Sequence, residues 1–567
     1  MRNLFSLLLA VGGAAAQRTI QWTFVRNGTS GVVPVELITI SPTLMLMYDR
    51  ADGNPLRLPN GERAWAALWD LETNTPTPLN TLTDTFCAGG AFLSNGTLVS
   101  VAGQPLEDPT QPPADGRLGI RLFGPCTSAT GANCTVFEDP AHIHLAVTRW
   151  YPTGLRIPDG SLMIIGGSNT NTFYNTGPTA EDSIEFFPSR PGEEGTVRPS
   201  QFLLDAQPVN LFPRSFVLPS GHVFVIANNI TMIYDIATNT ETRLPDIPNG
   251  VRVANPFDGS AQLLPLSPPL FEPTVLVCGG SATDDTRPVT NITTLDPATN
   301  QCSRITLTPA GIARGWEVEH MPEARILMET VILPTGDVLL INGALTGYSG
   351  YPSVVGSNAT GSNSDNPALR GMLYRTEFPA GQRITQAGLP TSDIPRMYHS
   401  SASLTAKGNV MVAGSNPHPA VVEPPTTLSF PTEFRVEFLN PDFITNHAAR
   451  PVIHSAPSQL HFNQKASLRV TVPQSLLAGP MKVSLMDLGY ATHSQHSNSR
   501  LVFLEHTLLG NTLQITTPPN NNIYPPGPAW LFLVADGVYS EGVQVMVGDG
   551  GDPPRADQGI KIHLTSL

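Results

Sequence analysis

Four short segments hold the side chains best suited to chemistry: Thr85-Phe86-Cys87-Ala88-Gly89-Gly90, Arg149-Trp150-Tyr151, Arg396-Met397-Tyr398-His399-Ser400 and Gly489-Tyr490-Ala491-Thr492-His493-Ser494. They offer a thiol, phenols and two imidazoles. Imidazole nitrogen and phenolate oxygen are borderline ligands that suit a tetragonal copper(II) ion. A phenol ionises near a pH of about 10, so it serves as a ligand at neutral pH only beside a strong positive charge, which a dication provides. Each residue also has a plainer reading. A tyrosine next to a histidine, as in Tyr398-His399, is ordinary packing. His493 and His496, three apart, suit a polar rim. His142 and His144 alternate on an expected strand and share a face, either a second metal site or a wet strand face. His320 and His418 have no partners at telling spacings.

The chain has five cysteines: Cys87, Cys126, Cys134, Cys278 and Cys302. Cys126 and Cys134 are close enough for a local loop bridge, and Cys278 with Cys302 would close a hairpin. These are the simplest of several connectivities. Cys87 is then left over, either buried and inert or chemically used.

Pairing of this kind belongs to an oxidising compartment, and the N-terminus agrees. Arg2, the apolar run Leu4 to Val11 and Ala14-Ala15-Ala16 read as the charge, core and cleavage site of a secretory leader over residues 1–16. Sequons at Asn27, Asn95, Asn229, Asn291 and Asn358 fit secretion. No later run approaches the about 20 apolar residues of a membrane span, and no hydrophobic tail suggests a lipid anchor. With 32 Lys and Arg against 46 Asp and Glu, the net charge is -14 and no basic run exists. Nucleic acid and anionic membrane are therefore poor partners.

Three of the four segments sit within a repeat, and His493 lies beyond it, in the second domain. A polar turn with Gly leads into a short apolar run and then a small residue at Leu93 to Gly103, Pro158 to Gly167, Leu218 to Ala227, Leu333 to Gly343 and Ala406 to Gly414. Looser copies lie at Ser41 to Tyr48 and Pro273 to Gly280. The seven copies recur every roughly 50 to 70 residues, close to the kelch period. Each reads as a hairpin turn feeding a buried inner strand. Such a unit cannot cover both faces alone, whereas a ring of seven can, which predicts an all-β seven-bladed kelch propeller over residues 17–445. Beyond Pro441 the pattern stops. Alternating runs at Ser467 to Val472, Met481 to Met486, Thr512 to Thr516 and Ala529 to Val534 predict an Ig-like β-sandwich over residues 446–567.

In order and spacing, the three segments within this repeat and the fourth in the sandwich resemble the copper radical oxidases, the family of galactose oxidase and glyoxal oxidase. Arg149-Trp150-Tyr151-Pro152, Met321-Pro322-Glu323-Ala324-Arg325 and Asn342-Gly343-Ala344 are most similar to fungal-type glyoxal oxidases. The resemblance spans essentially the whole mature chain. The stretch before Ser41 is too short for the extra carbohydrate-binding domain of galactose oxidase. The family pattern implies one copper ion held by Tyr151, Tyr398, His399 and His493, and a thioether between Cys87 and Tyr151 that makes a tyrosyl-radical cofactor. It implies that Tyr398 is the axial ligand and general base, and that Tyr151 takes the hydrogen from carbon. It further implies a small aldehyde or alcohol and O2 as substrates, H2O2 as product, and peroxidases as downstream users of that peroxide. An aldehyde oxidase leads, with a primary-alcohol oxidase and a non-catalytic glycan- or protein-binding propeller as alternatives.

Overall fold

The computed structural model describes residues 19–50, 53–105, 114–170, 172–555 and 558–559. The expected leader over residues 1–16 lies outside them. Seven antiparallel blades follow one another along the chain. The innermost strands of the first six are Glu36–Thr39, Gly89–Phe92, Thr153–Arg156, Arg214–Val217, Gly259–Leu263 and Glu329–Ile332. The seventh blade takes Ser401–Leu404, Val410–Ala413 and Arg435–Pro441 from the end of the repeat region and Trp22–Thr29 from the start. Trp22 pairs with Pro441 and Phe24 with Leu439, so the two ends of the propeller are tied by a sheet ladder.

The apolar run of each repeat is the second strand, one step out from where the sequence placed it. Leu44–Tyr48, Leu98–Val101, Leu162–Ile165, Val223–Ala227, Val338–Ile341 and Val410–Ala413 are buried throughout. A second strand is sandwiched between blades on both faces, so it is apolar on both. The innermost strands pack side by side around the axis. They carry buried Glu36, Arg156, Arg214, Gln262, Glu329 and Ser403. Their polarity has a cause, because something polar fills the axis.

That filler comes from the C-terminal domain. There one sheet is built on Lys465–Thr471 and Thr512–Thr516, and the other on Met481–Asp487, Arg500–Phe503 and Gly527–Ala535. Leu468, Val470, Leu485, Leu513 and Leu533 close the space between them. The same core runs on into Phe216, Phe224 and Leu263 of the propeller, so the two units share apolar contact. Between two strands of the second sheet, the hairpin Tyr490–Thr492 and Gln495–Ser497 leaves the sandwich. Its first strand pairs antiparallel with Glu36–Thr39, Ala491 facing Leu37. Its second strand packs against the innermost strands of five other blades, those beginning at Gly89, Thr153, Arg214, Gly259 and Glu329. Close approach is needed on the way: a Cβ on Gly90 would stand 2.6 Å from Tyr490 Cε2 and 2.3 Å from the Val99 carbonyl oxygen.

Cys126 bonds to Cys134 in a loop of the second blade, and Cys278 to Cys302 across two paired strands of the fifth. Cys87 is free and buried. No described helix is long and apolar enough to cross a membrane.

Candidate metal centre

Where the chain crosses from one blade into the next, it must turn sharply into the innermost strand. In five blades the residue two places before that strand is left-handed: Cys87 (φ 59°), Tyr151 (62°), Phe212 (46°), Leu327 (60°) and His399 (62°). None is glycine, and a left-handed L-residue costs roughly 1–2 kcal/mol. Such strain persists where the surroundings enforce it, and it gathers at functional sites. Here the enforcement is a backbone relay: Tyr151 N–H donates to the Cys87 carbonyl at 3.3 Å, and Phe212 N–H to the Tyr151 carbonyl at 3.0 Å. Trp150 Nε1 adds a bond of 2.9 Å to the Phe86 carbonyl. Cys87 and Tyr151 are thereby held in one apolar cluster with Phe86 and Phe212.

The axial hairpin delivers the last residue. His493 (φ 46°) and Ser494 (φ 62°) are its two turn residues. Two successive left-handed residues make the type I′ turn that suits a tight hairpin, normally built from Asn-Gly. A His-Ser pair in this role is strained and is braced from outside. Ser494 N–H donates to Glu329 Oε1 at 3.1 Å, while His496 Nε2 lies 3.2 Å from Glu329 Oε2.

All five sequence-predicted site residues meet here. Tyr151 Oη and Tyr398 Oη are 2.9 Å apart. Cys87 Sγ lies 3.8 Å from His399 Nε2, and the donor atoms of Cys87, His399 and His493 lie within 4.8 Å of one another. The His493 ring stands 5.0 Å from that of His399, 5.3 Å from Tyr151 and 5.5 Å from Tyr398. Exposure is 8% or less at each of the five.

The protonation states suit a cation. His399 Nδ1 lies 2.9 Å from the Asn416 carbonyl, which only accepts, so Nδ1 holds the proton and Nε2 keeps its lone pair. His493 Nδ1 meets Thr492 Oγ1 at 2.6 Å, and its buried Nε2 has no protein partner. Burial drives the His399 pKa down to about 3. Burial, with the charges of His399 and Arg214, also lowers His493. Both imidazoles are neutral ligands at ordinary pH. Burial raises Tyr151, reinforced by Cys87 and Tyr398, and burial likewise raises Tyr398. Without a cation the phenols stay protonated. An unpartnered buried nitrogen beside a second lone pair and two phenols is a donor set into which copper(II) fits.

His142, His144, His418 and His496 are occupied elsewhere. His142 sits in a turn and His144 in an isolated bridge to Gly119, so the expected strand is absent there. His142 Nδ1 meets Asp139 at 2.9 Å and His144 Nδ1 the Leu145 carbonyl at 2.8 Å, so they form no shared face. His418 Nε2 sits near the Ser429 and Phe430 carbonyls. His496 is a buried brace, not a rim. Sequence reading missed Phe212, which stacks on His493 at 4.6 Å. The signal was available, since Phe212-Pro213 occupies the same place before its strand as Tyr151-Pro152. It also missed Glu329, for which no local pattern exists.

A family model described as the glyoxal oxidase N-terminus matches residues 54–443, and one described as a galactose oxidase-like early set domain matches residues 450–547. The chain belongs to the glyoxal oxidase family. It is 33% identical over 548 residues to the aldehyde oxidase GLOX of Vitis pseudoreticulata, across 94% of this chain and 95% of that protein. It is 30% identical over 501 residues to the aldehyde oxidase GLOX1 of Arabidopsis thaliana, across 85% of this chain and 75% of that one. Among solved structures, a fungal alcohol oxidase of the AA5 family in complex with copper has a TM-score of 0.67 at 16% identity, covering 94% of this chain and all of that chain. That likeness speaks for the fold.

Proposed function

We propose that this family member is a secreted copper oxidase that turns small aldehydes, as their hydrates, into carboxylic acids while reducing O2 to H2O2. The carrying observation is the convergence of Tyr151, Tyr398, His399 and His493, from segments far apart in sequence, on one buried site with unshared nitrogen lone pairs. The relatives named aldehyde oxidases support the substrate class. In this reading the mature chain is a propeller over residues 17–445 and a sandwich over 446–567, with the leader removed. The two disulfides agree with an extracellular home.

Tyr151, Tyr398, His399 and His493 would hold the metal. Bound copper supplies a one-electron acceptor, Lewis acidity toward the substrate oxygen, and the charge that ionises a phenol. The chain does the rest. Tyr398 Oη, as phenolate, accepts the proton of one hydrate hydroxyl. Tyr151 lies against Cys87 and, joined to it by a thioether, is the second one-electron acceptor and takes the carbon-bound hydrogen at Oη. The hydrate thereby loses two hydrogens and two electrons and leaves as the acid, and O2 receives both as H2O2. Apolar Phe86, Trp150 and Phe212 keep bulk water from the site. The peroxide would feed peroxidases outside the cell.

The test is peroxide release by the copper-loaded protein, with methylglyoxal and a primary alcohol assayed in parallel. Peroxide from methylglyoxal, with little from the alcohol, is expected. Release from the alcohol alone would move the reading to an alcohol oxidase. Release from neither, with copper bound, would overturn it.

A further inference from the structure

Glu36 is a fully buried acid that the chemistry above does not use. It opens the innermost strand of the first blade. Its backbone is held on both sides, paired with Tyr48 of the next strand out and with Thr492 of the axial hairpin. Its side chain crosses to the second blade, where Oε1 accepts from the Ala88 N–H at 3.0 Å. Ala88 follows Cys87, and the same N–H also reaches the Thr85 carbonyl at 3.0 Å. Two further bonds hold the near side of this turn. Phe86 N–H donates to Asp84 Oδ1 at 2.9 Å, and Thr85 Oγ1 donates to the Asp49 backbone carbonyl at 2.6 Å. Glu36 holds the far side, just beyond the thiol.

We infer that Glu36 is a positioning residue for the thioether: by gripping the Ala88 N–H it holds Cys87 left-handed and keeps its sulfur against the ring of Tyr151. The inference rests on the oxidase reading above and concerns how its cross-link forms. Three observations carry it. Cys87 stands at φ 59°, a strain that lasts only where its surroundings enforce it. From that conformation its thiol is hydrogen-bonded with Tyr151 and lies 3.8 Å from His399 Nε2. The grip is also rigid, because Glu36 sits on a strand paired along both edges, one of them the hairpin that carries His493. The turn bearing the thiol and the hairpin bearing the imidazole thus take their register from one residue. Burial, reinforced by Asp49, raises the Glu36 carboxyl and favours its uncharged form. A carboxylate there would oppose loss of the thiol proton, since burial already raises Cys87 and negative charge on Glu36 adds to it. The reaction so prepared joins Cys87 Sγ to the ring carbon of Tyr151 beside the one bearing Oη. The S–H and C–H bonds break, and two protons and two electrons pass to O2, giving H2O2.

The test follows the cross-link, not turnover. Protein produced without copper, with Cys87 still a thiol, is given copper and air, and samples taken over time are unfolded, digested and weighed as peptides. In the parent, the Cys87 and Tyr151 peptides should become joined and lighter by two hydrogens. In Glu36→Leu, which keeps the bulk and removes the acceptor, joining should be at least about tenfold slower. Glu36→Gln keeps an uncharged oxygen at the same reach and should restore most of the parent rate. Copper affinity should be the same in all three, because Glu36 is not one of the proposed donors. A residue that only stabilises the fold would slow both variants and weaken copper binding with them. Joining at the parent rate in Glu36→Leu overturns the inference, and so does a Glu36→Gln as slow as Glu36→Leu. If Glu36→Leu does not fold, Glu36→Asp, whose carboxyl falls short of Ala88, takes its place with the same expectation. A parent that never loses the two hydrogens refutes the cross-link of the oxidase reading and this inference with it. A joined parent beside an equally fast Glu36→Leu refutes the inference alone.

Discussion

Tyr151 Oη and Tyr398 Oη stand 2.9 Å apart although 247 residues separate them in the chain. Two buried phenols at that distance share one hydrogen bond, and ionising either leaves a charge with the other phenol as its donor. Neither loses its proton readily by itself, since burial raises both. Under the proposed function the pair would become a proton acceptor when a cation arrives. In the proposed function, substrate oxidation and metal binding would be linked through the same two oxygens.

Replacing Tyr398 by Phe removes the oxygen proposed to accept the substrate proton and keeps the ring between Tyr351 and His399. Peroxide release should fall at least about a hundredfold, the scale of a lost general base. Copper content, measured on the purified variant, should drop as well, because one of four donors is gone. A variant that keeps its full rate would remove Tyr398 from the chemistry.

Cys87 reaches Tyr151 through side-chain contact, and burial raises its thiol pKa, so it is not a thiolate ligand by default. In Cys87→Ser, copper should be retained and the rate should fall at least about a hundredfold, since an unmodified phenol is a harder one-electron donor. Peptide mass mapping checks the cause directly. The parent protein should yield Cys87 and Tyr151 peptides covalently joined and lighter by two hydrogens, and the variant should not. Separate peptides in a fully active parent would refute the cross-link.

Much of this was written locally and some was not. Turn chemistry such as Leu333-Pro334-Thr335-Gly336 and the apolar run after it gave the blades, and the alternation in Thr512 to Thr516 gave the sandwich. Apolar runs report burial on both faces, not radial position, which is why the second strands looked like the innermost ones. The hairpin at His493 lacks the Asn-Gly that announces a type I′ turn. Its route along the axis depends on small residues such as Gly90 and on the distant Glu329, and no local pattern encodes either. The five proposed site residues were picked out through their family pattern, and the fold brings them together. Their left-handed backbone and the stacking Phe212 became visible only when the blades were aligned in space.

The metal-free protein should lose stability in acid through His399. Its folded pKa is depressed to about 3, whereas the unfolded value is about 6.5. The unfolded chain therefore binds the proton first. The contribution is fully present above pH of about 6.5 and is lost as pH falls toward about 3, by at most about 1.4 kcal/mol per pH unit. Asp49 works in the opposite sense, because burial raises it to about 7 and favours the folded state at lower pH. The total curve mixes the two, so the informative quantity is a difference. Tm of the metal-free parent minus that of His399→Gln, followed from pH 7 to pH 4, should decline steadily. A flat difference would mean that His399 is protonated in the folded protein.

The hairpin tip separates stability from binding. Ser494 is left-handed at φ 62°, where glycine is relaxed, and only its backbone N–H is bonded, to Glu329. Ser494→Gly should raise stability by about 0.5–1 kcal/mol, read from chemical unfolding, and leave copper affinity unchanged. His493→Ala should weaken copper binding at least about tenfold, because it deletes the one proposed donor from the C-terminal domain. It should also lower Tm, since the ring packs on Phe212 at 4.6 Å and leaves a cavity there. If His493→Ala binds copper as tightly as the parent, the hairpin serves only to fill the axis. If Ser494→Gly loses copper instead, the strained turn is itself what aims the imidazole.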